Sequence, residues 1–180
     1  MSLLLPAGAS ARIIVGTVGP DRLVGDTPTG DLLFGGGGAD TLIGGPGPDI
    51  MYGVRSGNNI HGGEGNNYIE GGTGDDKVVA GDGNNTVYGG TGHDEISLGN
   101  GNNYVDPGGA PDVVRLGNGN NVVNMGSGGT EVRAGNGNNT IYYTQGADTI
   151  DLGSGVNTVY LSTVWGIGRL DCGGNPQSTV

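Results

Sequence analysis

Apolar residues recur along this chain with a period of nine, and the short runs around them alternate in character. Laid in nines from Gly16, with one extra residue in the second unit, the sequence falls into sixteen units ending at Tyr160, about four fifths of the chain. The eighth position of each unit is apolar without exception: Leu23, Leu33, Leu42, Met51, Ile60, Ile69, Val78, Val87, Ile96, Val105, Val114, Val123, Val132, Ile141, Ile150 and Val159. Strand side chains alternate between faces, so each unit reads as a short strand with one inward residue flanked by two outward ones. The front half of each unit is rich in Gly, Asn and Asp, which favour tight turns. A strand and turn this short cannot bury its apolar residue alone, so the units must stack.

The repeat is plainest at Gly35 to Ile43 (GGGGADTLI) and Gly44 to Tyr52 (GGPGPDIMY), which read G-G-x-G-x-D-x-U-x with U aliphatic. It resembles the calcium-binding nonapeptide repeats of the RTX family of secreted toxins, proteases, lipases and alginate epimerases, with units three, four, six, seven and nine matching most closely. The resemblance implies an all-β fold: a right-handed parallel β-roll of about eight 18-residue coils, two nonapeptides per coil, with calcium between the Gly-Asp turns. Successive units then lie in opposite sheets, and residues eighteen apart stack. Eight coils at the ~4.8 Å strand spacing predict a rod of roughly 38 Å. Residues 1–15 read as an N-terminal strand or cap, 16–160 as the roll, and 161–180 as a C-terminal cap or tail in which Trp165 closes the last coil. A secretory signal at the N-terminus would need a basic leading segment and a longer apolar run than Leu3 to Leu5 provides.

The sixth position carries the candidate chemistry. Units one to four have Asp21, Asp31, Asp40 and Asp49; thereafter alternate units split into two rows. One continues Asn58, Asp76, Asp94, Asp112, Thr130, Asp148, and the other becomes Asn67, Asn85, Asn103, Asn121, Asn139, Asn157. Calcium takes six to eight oxygens, including carboxylates, and glycine turns can add backbone carbonyls. In the family, sixth-position Asp residues two units apart share an ion. Carried to this chain, that rule pairs Asp21 with Asp40, Asp31 with Asp49, Asp76 with Asp94, and Asp94 with Asp112. The Asn row departs from the family pattern. Stacked amides there can hydrogen-bond up the column without metal, doubled at the fifth position by Asn66, Asn84, Asn102, Asn120 and Asn138; tolerance of left-handed turns would select Asn equally.

Positions seven and nine set the outer faces. The sheet that follows the Asn row presents Leu32, Phe34, Ile50, Tyr52, Tyr68, Thr86, Tyr88, Tyr104, Val122, Thr140, Tyr142, Thr158 and Tyr160, with Glu70, Asp106 and Asn124 as the exceptions. The other sheet presents Lys77, Glu95, Arg115, Glu131, Arg133 and Asp151. Strand preference alone favours Tyr and Thr, but the lopsided apolar set also fits an interaction surface. In the second half, first-position Gly gives way to Leu98, Pro107, Leu116, Met125, Ala134, Tyr143 and Leu152, which predicts a wider roll with extra core at the corners.

Composition narrows the function. With 43 Gly in 180 residues and 33% hydrophobic residues, only a thin apolar seam is available. A net charge of -11 argues against nucleic acid or insertion into an anionic membrane and favours cations. His61 and His93 occupy different repeat positions with no nucleophile at repeat-related distance, so no enzyme is expected, and the lone Cys172 excludes an intrachain disulfide. The expectation is a calcium-binding, extracellular, secreted or cell-surface protein of structural or self-assembling role, associating with itself end to end or laterally through the uncharged face. The alternatives are an ice- or glycan-binding module using the Tyr/Thr face, or the detached folding and secretion module of a secreted enzyme.

Overall fold

The computed structural model describes residues 10–162 and 166–180, and every regular element among them is a β-strand. The strands run from β1 (Ile13–Val15), β2 (Arg22–Val24), β3 (Leu32–Gly36) and β4 (Thr41–Gly45) to β17 (Thr158–Leu161) and β18 (Arg169–Asp171). Odd-numbered strands form one nine-stranded sheet and even-numbered strands the other, in sequence order across each. All pairings are parallel, so the chain climbs by one rung in each sheet per coil, as the repeat predicts.

The register is that of the repeat. Leu33 aligns with Met51, Met51 with Ile69, and Ile69 with Val87; across the core Leu42 aligns with Ile60 and Ile60 with Val78. The offset is eighteen throughout these columns. It is nineteen between Ile14 and Leu33 and between Leu23 and Leu42, where the extra residue of the second unit is absorbed.

The two inward columns meet in one thin core. Eighth-position residues from Leu33 to Val159 are at most 2% exposed. Leu98, Leu116, Met125, Tyr143 and Leu152 join the same cluster from the corners, as their bulk predicts. Most inward residues are fully buried, so the strands are held by burial on one face and by ladder hydrogen bonds on both edges.

The roll has about nine coils, one more than the repeat count suggested. β1 and β18 each add a rung from segments without a complete nonapeptide. Leu170 sits beneath Ile150 in the core column at an offset of twenty, and Thr179 forms a parallel bridge to Thr158. β18 thus adds a rung to the even-strand sheet from within the C-terminal segment, with Ile167, Leu170 and Cys172 packed against the core. Trp165 lies outside the described residues.

The outer faces differ as the sequence indicated. On the odd-strand sheet, rings step along the rod from Phe34 to Tyr52, Tyr68, Tyr88 and Tyr104 with centroids 4.9–6.1 Å apart, and Tyr142 stacks on Tyr160 at 5.0 Å. The opposite face is laced with ion pairs, Lys77 and Arg115 to Glu95 and Arg169 to Asp151.

Candidate metal centre

Sixth-position Asp and Asn side chains turn toward the preceding coil: their Oδ1 accepts the backbone N–H of the residue stacked one coil earlier, which lines the side chains up in two columns, one along each edge of the roll, with Thr130 the position that lacks this acceptor. Asp21 N–H donates to Asp40 at 2.8 Å, Asp31 to Asp49 at 2.6 Å, Asp76 to Asp94 at 2.8 Å and Asp94 to Asp112 at 2.8 Å. All four pairs singled out in the sequence are therefore neighbours. Asn58 and Thr130 fill the interruptions, donating to Asp76 at 2.7 Å and to Asp148 at 2.6 Å.

The second carboxylate oxygen separates these residues into two groups. Oδ2 of Asp40, Asp49, Asp76, Asp94, Asp112 and Asp148 is buried and has no hydrogen-bond partner, although each residue is at most 2% exposed. A buried carboxylate oxygen without a donor is costly, and the cost is removed by a cation or a proton. Asp21 and Asp31 are different. Thr17 donates to Asp21 Oδ2 through its backbone N–H at 2.5 Å and its hydroxyl at 2.9 Å. Asp31 Oδ2 accepts from the backbone of Asp26 and Thr27, and its Oδ1 from Arg12 N–H at 2.8 Å. Thr in place of a turn glycine was the visible signal for these protein-satisfied carboxylates; the Arg12 contact, nineteen residues away, had none.

Glycine at the first position leaves the space around the open oxygens clear. A Cβ on Gly35, Gly44, Gly71 or Gly89 would stand 2.4–2.5 Å from Oδ2 of Asp40, Asp49, Asp76 or Asp94. The same point lies 2.3–2.7 Å from the carbonyl oxygen of Gly53, Gly62, Gly89 or Pro107 respectively, one coil on. Each such turn thus brings an unpaired carboxylate oxygen and a backbone carbonyl to one cradle with no donor between them. This oxygen-only set fits a hard cation of the calcium type. Among the described residues no point gathers three or more His, Cys, Asp or Glu side chains, so carbonyls must supply much of any coordination shell. At Asp112 and Asp148 the first position is Pro107 or Tyr143, and the glycine cradle is lost.

Burial shows in the protonation of the same groups. It pushes Asp49, Asp76 and Asp112 up to about 6 and Asp94 up to about 7; for Asp94 the neighbouring charges of Asp76 and Asp112 add to the effect. Asp31 moves the other way: burial works to raise it, but the hydrogen bonds from Thr27, Arg12 and Asp26 outweigh that and hold it below its usual value.

The Asn column has no open oxygen. Asn103 Nδ2 donates to Gly101 O at 2.8 Å, Gly99 O at 3.3 Å and Asn121 Oδ1 at 3.0 Å, and the pattern repeats at Asn85, Asn121 and Asn139. The fifth-position ladder is also present, Asn84 N–H donating to Asn66 Oδ1 and Asn102 N–H to Asn84 Oδ1, both at 2.7 Å. A third ladder at the third position, through Asp82, Asn100, Asn118 and Asn136, went unnoticed in the sequence, although its spacing of eighteen is equally regular.

The family model described as RTX calcium-binding nonapeptide repeat (4 copies) matches residues 28–55, 52–87, 70–105, 79–114 and 126–159. No curated protein and no solved structure matches the chain. The matched segments cover well over half of the residues and include the Gly-Asp turns of Asp31, Asp40, Asp49, Asp76, Asp94 and Asp112. The chain belongs to the RTX calcium-binding nonapeptide repeat family, and is a calcium-binding β-roll.

Proposed function

We propose that this β-roll is an extracellular structural protein whose calcium ions sit at Asp40, Asp49, Asp76 and Asp94, with Asp112 and Asp148 as weaker participants, and whose aromatic face serves self-assembly. The observation that carries the metal assignment is the set of buried Oδ2 atoms without donors, four of them facing a glycine cradle and a carbonyl. Asp21 and Asp31, already satisfied by Thr17, Thr27 and Arg12, contribute as structural anchors of the first coils. Sites built from one carboxylate per turn and backbone carbonyls carry little charge, which belongs with the weak sites of extracellular modules, of order 10⁻⁴–10⁻³ M. That affinity suits a calcium-rich fluid outside the cell.

The self-assembly reading rests on the odd-strand face. Tyr88, Tyr142 and Tyr160 are 36%, 45% and 54% exposed on a face whose charges are Glu70 and Asp106. Burying apolar surface there is worth about 25 cal/mol per Å², so a few hundred Å² would drive association. No catalytic role is assigned: His61 lies on a strand, while His93 lies in a turn where its backbone donates to Asp75. Titration calorimetry of the full chain should show several calcium ions bound with ordering of the chain, and sedimentation in calcium should show oligomers. Calorimetry without a binding heat, with circular dichroism unchanged by chelator, would defeat the metal assignment. Changing both Tyr88 and Tyr104 to Lys should abolish assembly and leave calcium binding intact. A wild-type chain that stays monomeric with calcium but retains glycans or inhibits ice growth would assign that face to a ligand instead.

A further inference from the structure

The two edges of the roll are finished by different chemistry at equivalent positions. Asp94 and Asn103 both offer Oδ1 to the sixth residue one coil earlier, at 2.8 and 3.0 Å. They differ in the other terminal atom. Asp94 Oδ2 is an acceptor among carbonyls with no donor, whereas Asn103 Nδ2 donates to the carbonyls two and four residues upstream and to Asn121. The amide orientation follows from its partners, since a flipped group would set oxygen against those carbonyls and NH₂ against the Asn85 N–H. A cation holds such carbonyls together by charge, and an NH₂ group does so by hydrogen bonds.

We infer that the Asn side chains are built-in replacements for calcium, so that the edge from Asn67 to Asn157 closes without metal and, over those coils, calcium completes the opposite edge. This rests on the calcium reading above and extends it to where the ions are excluded. An NH₂ group already fills the place a cation would take and uses the carbonyl lone pairs it would need. Asn58 repeats the device within the Asp edge, donating to Ser56 O at 2.8 Å and Asp76 Oδ1 at 3.0 Å. Asp49 is the one open carboxylate on the other edge, so the division starts at Asn67. The third- and fifth-position ladders run along the Asn edge over successive coils, where the Asp edge has the single fifth-position rung from His93 N–H to Asp75 Oδ1, giving the Asn edge a preformed spine onto which calcium zips the Asp turns.

The test is the isosteric exchange in both directions, read by calcium stoichiometry and by melting with and without chelator. Asn103→Asp keeps the Oδ1 acceptor and removes the donor. It should melt about 5 °C below wild type in chelator, recover in calcium, and bind at least one more ion, taking roughly two lost hydrogen bonds in a chain of this size. Asp94→Asn should bind fewer ions than wild type yet melt higher in chelator. An Asn103→Asp protein as stable as wild type in chelator, or one that calcium does not restore, would overturn the inference; so would Asp94→Asn melting no higher than wild type there. Should Asn103→Asp fail to fold in chelator, recovery on adding calcium still supports the inference and lack of recovery opposes it. Absence of calcium binding by wild type would instead defeat the metal assignment itself, and is distinguishable from these outcomes.

Discussion

Metal-stripped protein should lose stability as pH rises from about 4 to 7. Asp49, Asp76 and Asp112 sit at about 6 and Asp94 at about 7 in the fold because burial penalises their charge, against 3.8 for the free group. Their folded values lie above the unfolded one, so the folded chain holds these protons more tightly. The stabilisation is complete below pH 3.8 and is lost as pH climbs through 6 and 7. Two units are worth about 2.7 kcal/mol per carboxylate. Four such groups, three of them coupled in one column, amount to on the order of 5–10 kcal/mol, which rivals the whole stability of a domain. Asp31 acts in the opposite sense, its stabilisation being lost only as pH falls below about 4. Melts followed by circular dichroism between pH 5 and 8, on protein stripped of metal, measure this slope. In saturating calcium the slope should reverse, since the ions need ionised carboxylates and acid displaces them. A metal-free melting temperature that is flat or rising from pH 5 to 8 would refute the reasoning.

Three substitutions probe the scaffold by thermal melting. Val54 holds φ at 82° where the repeat has glycine, and a β-branched residue there is strained; Val54→Gly should raise stability by about 1 kcal/mol. Gly90 has φ at 114°, and a Cβ on it would stand 2.0 Å from Gly72 O, so Gly90→Ala should cost about 2–4 kcal/mol. Ile96 is fully buried in the seam, and Ile96→Ala should cost about 2–5 kcal/mol without changing calcium stoichiometry at saturation.

The period of nine made the architecture readable because each unit repeats the same inward residue, and a one-residue error would have put polar groups in the core. Rows and face composition followed from it directly, since stacking at eighteen turns a sequence list into a spatial column. Less was legible where a contact depends on a residue outside the repeat. Arg12 reaches Asp31 and Leu170 adds a rung, yet neither stands in a complete unit. The difference between Asp40 and Asp21, both sixth-position aspartates, showed in the sequence only as Thr17 in place of a turn glycine, and the donors around Oδ2 that distinguish them needed the structure. The Asn column was legible as a ladder, but its bonds to upstream carbonyls, which make it equivalent to a metal site, needed the turn geometry.

Long-wavelength anomalous diffraction from crystals grown in calcium would locate the ions directly. Peaks should lie beside Oδ2 of Asp76 and Asp94 on one edge, with none along Asn85, Asn103 and Asn121 on the other. Ions beside the side chains from Asn67 to Asn157, or Asp76 and Asp94 turns without them at saturating calcium, would contradict the placement of calcium in this roll.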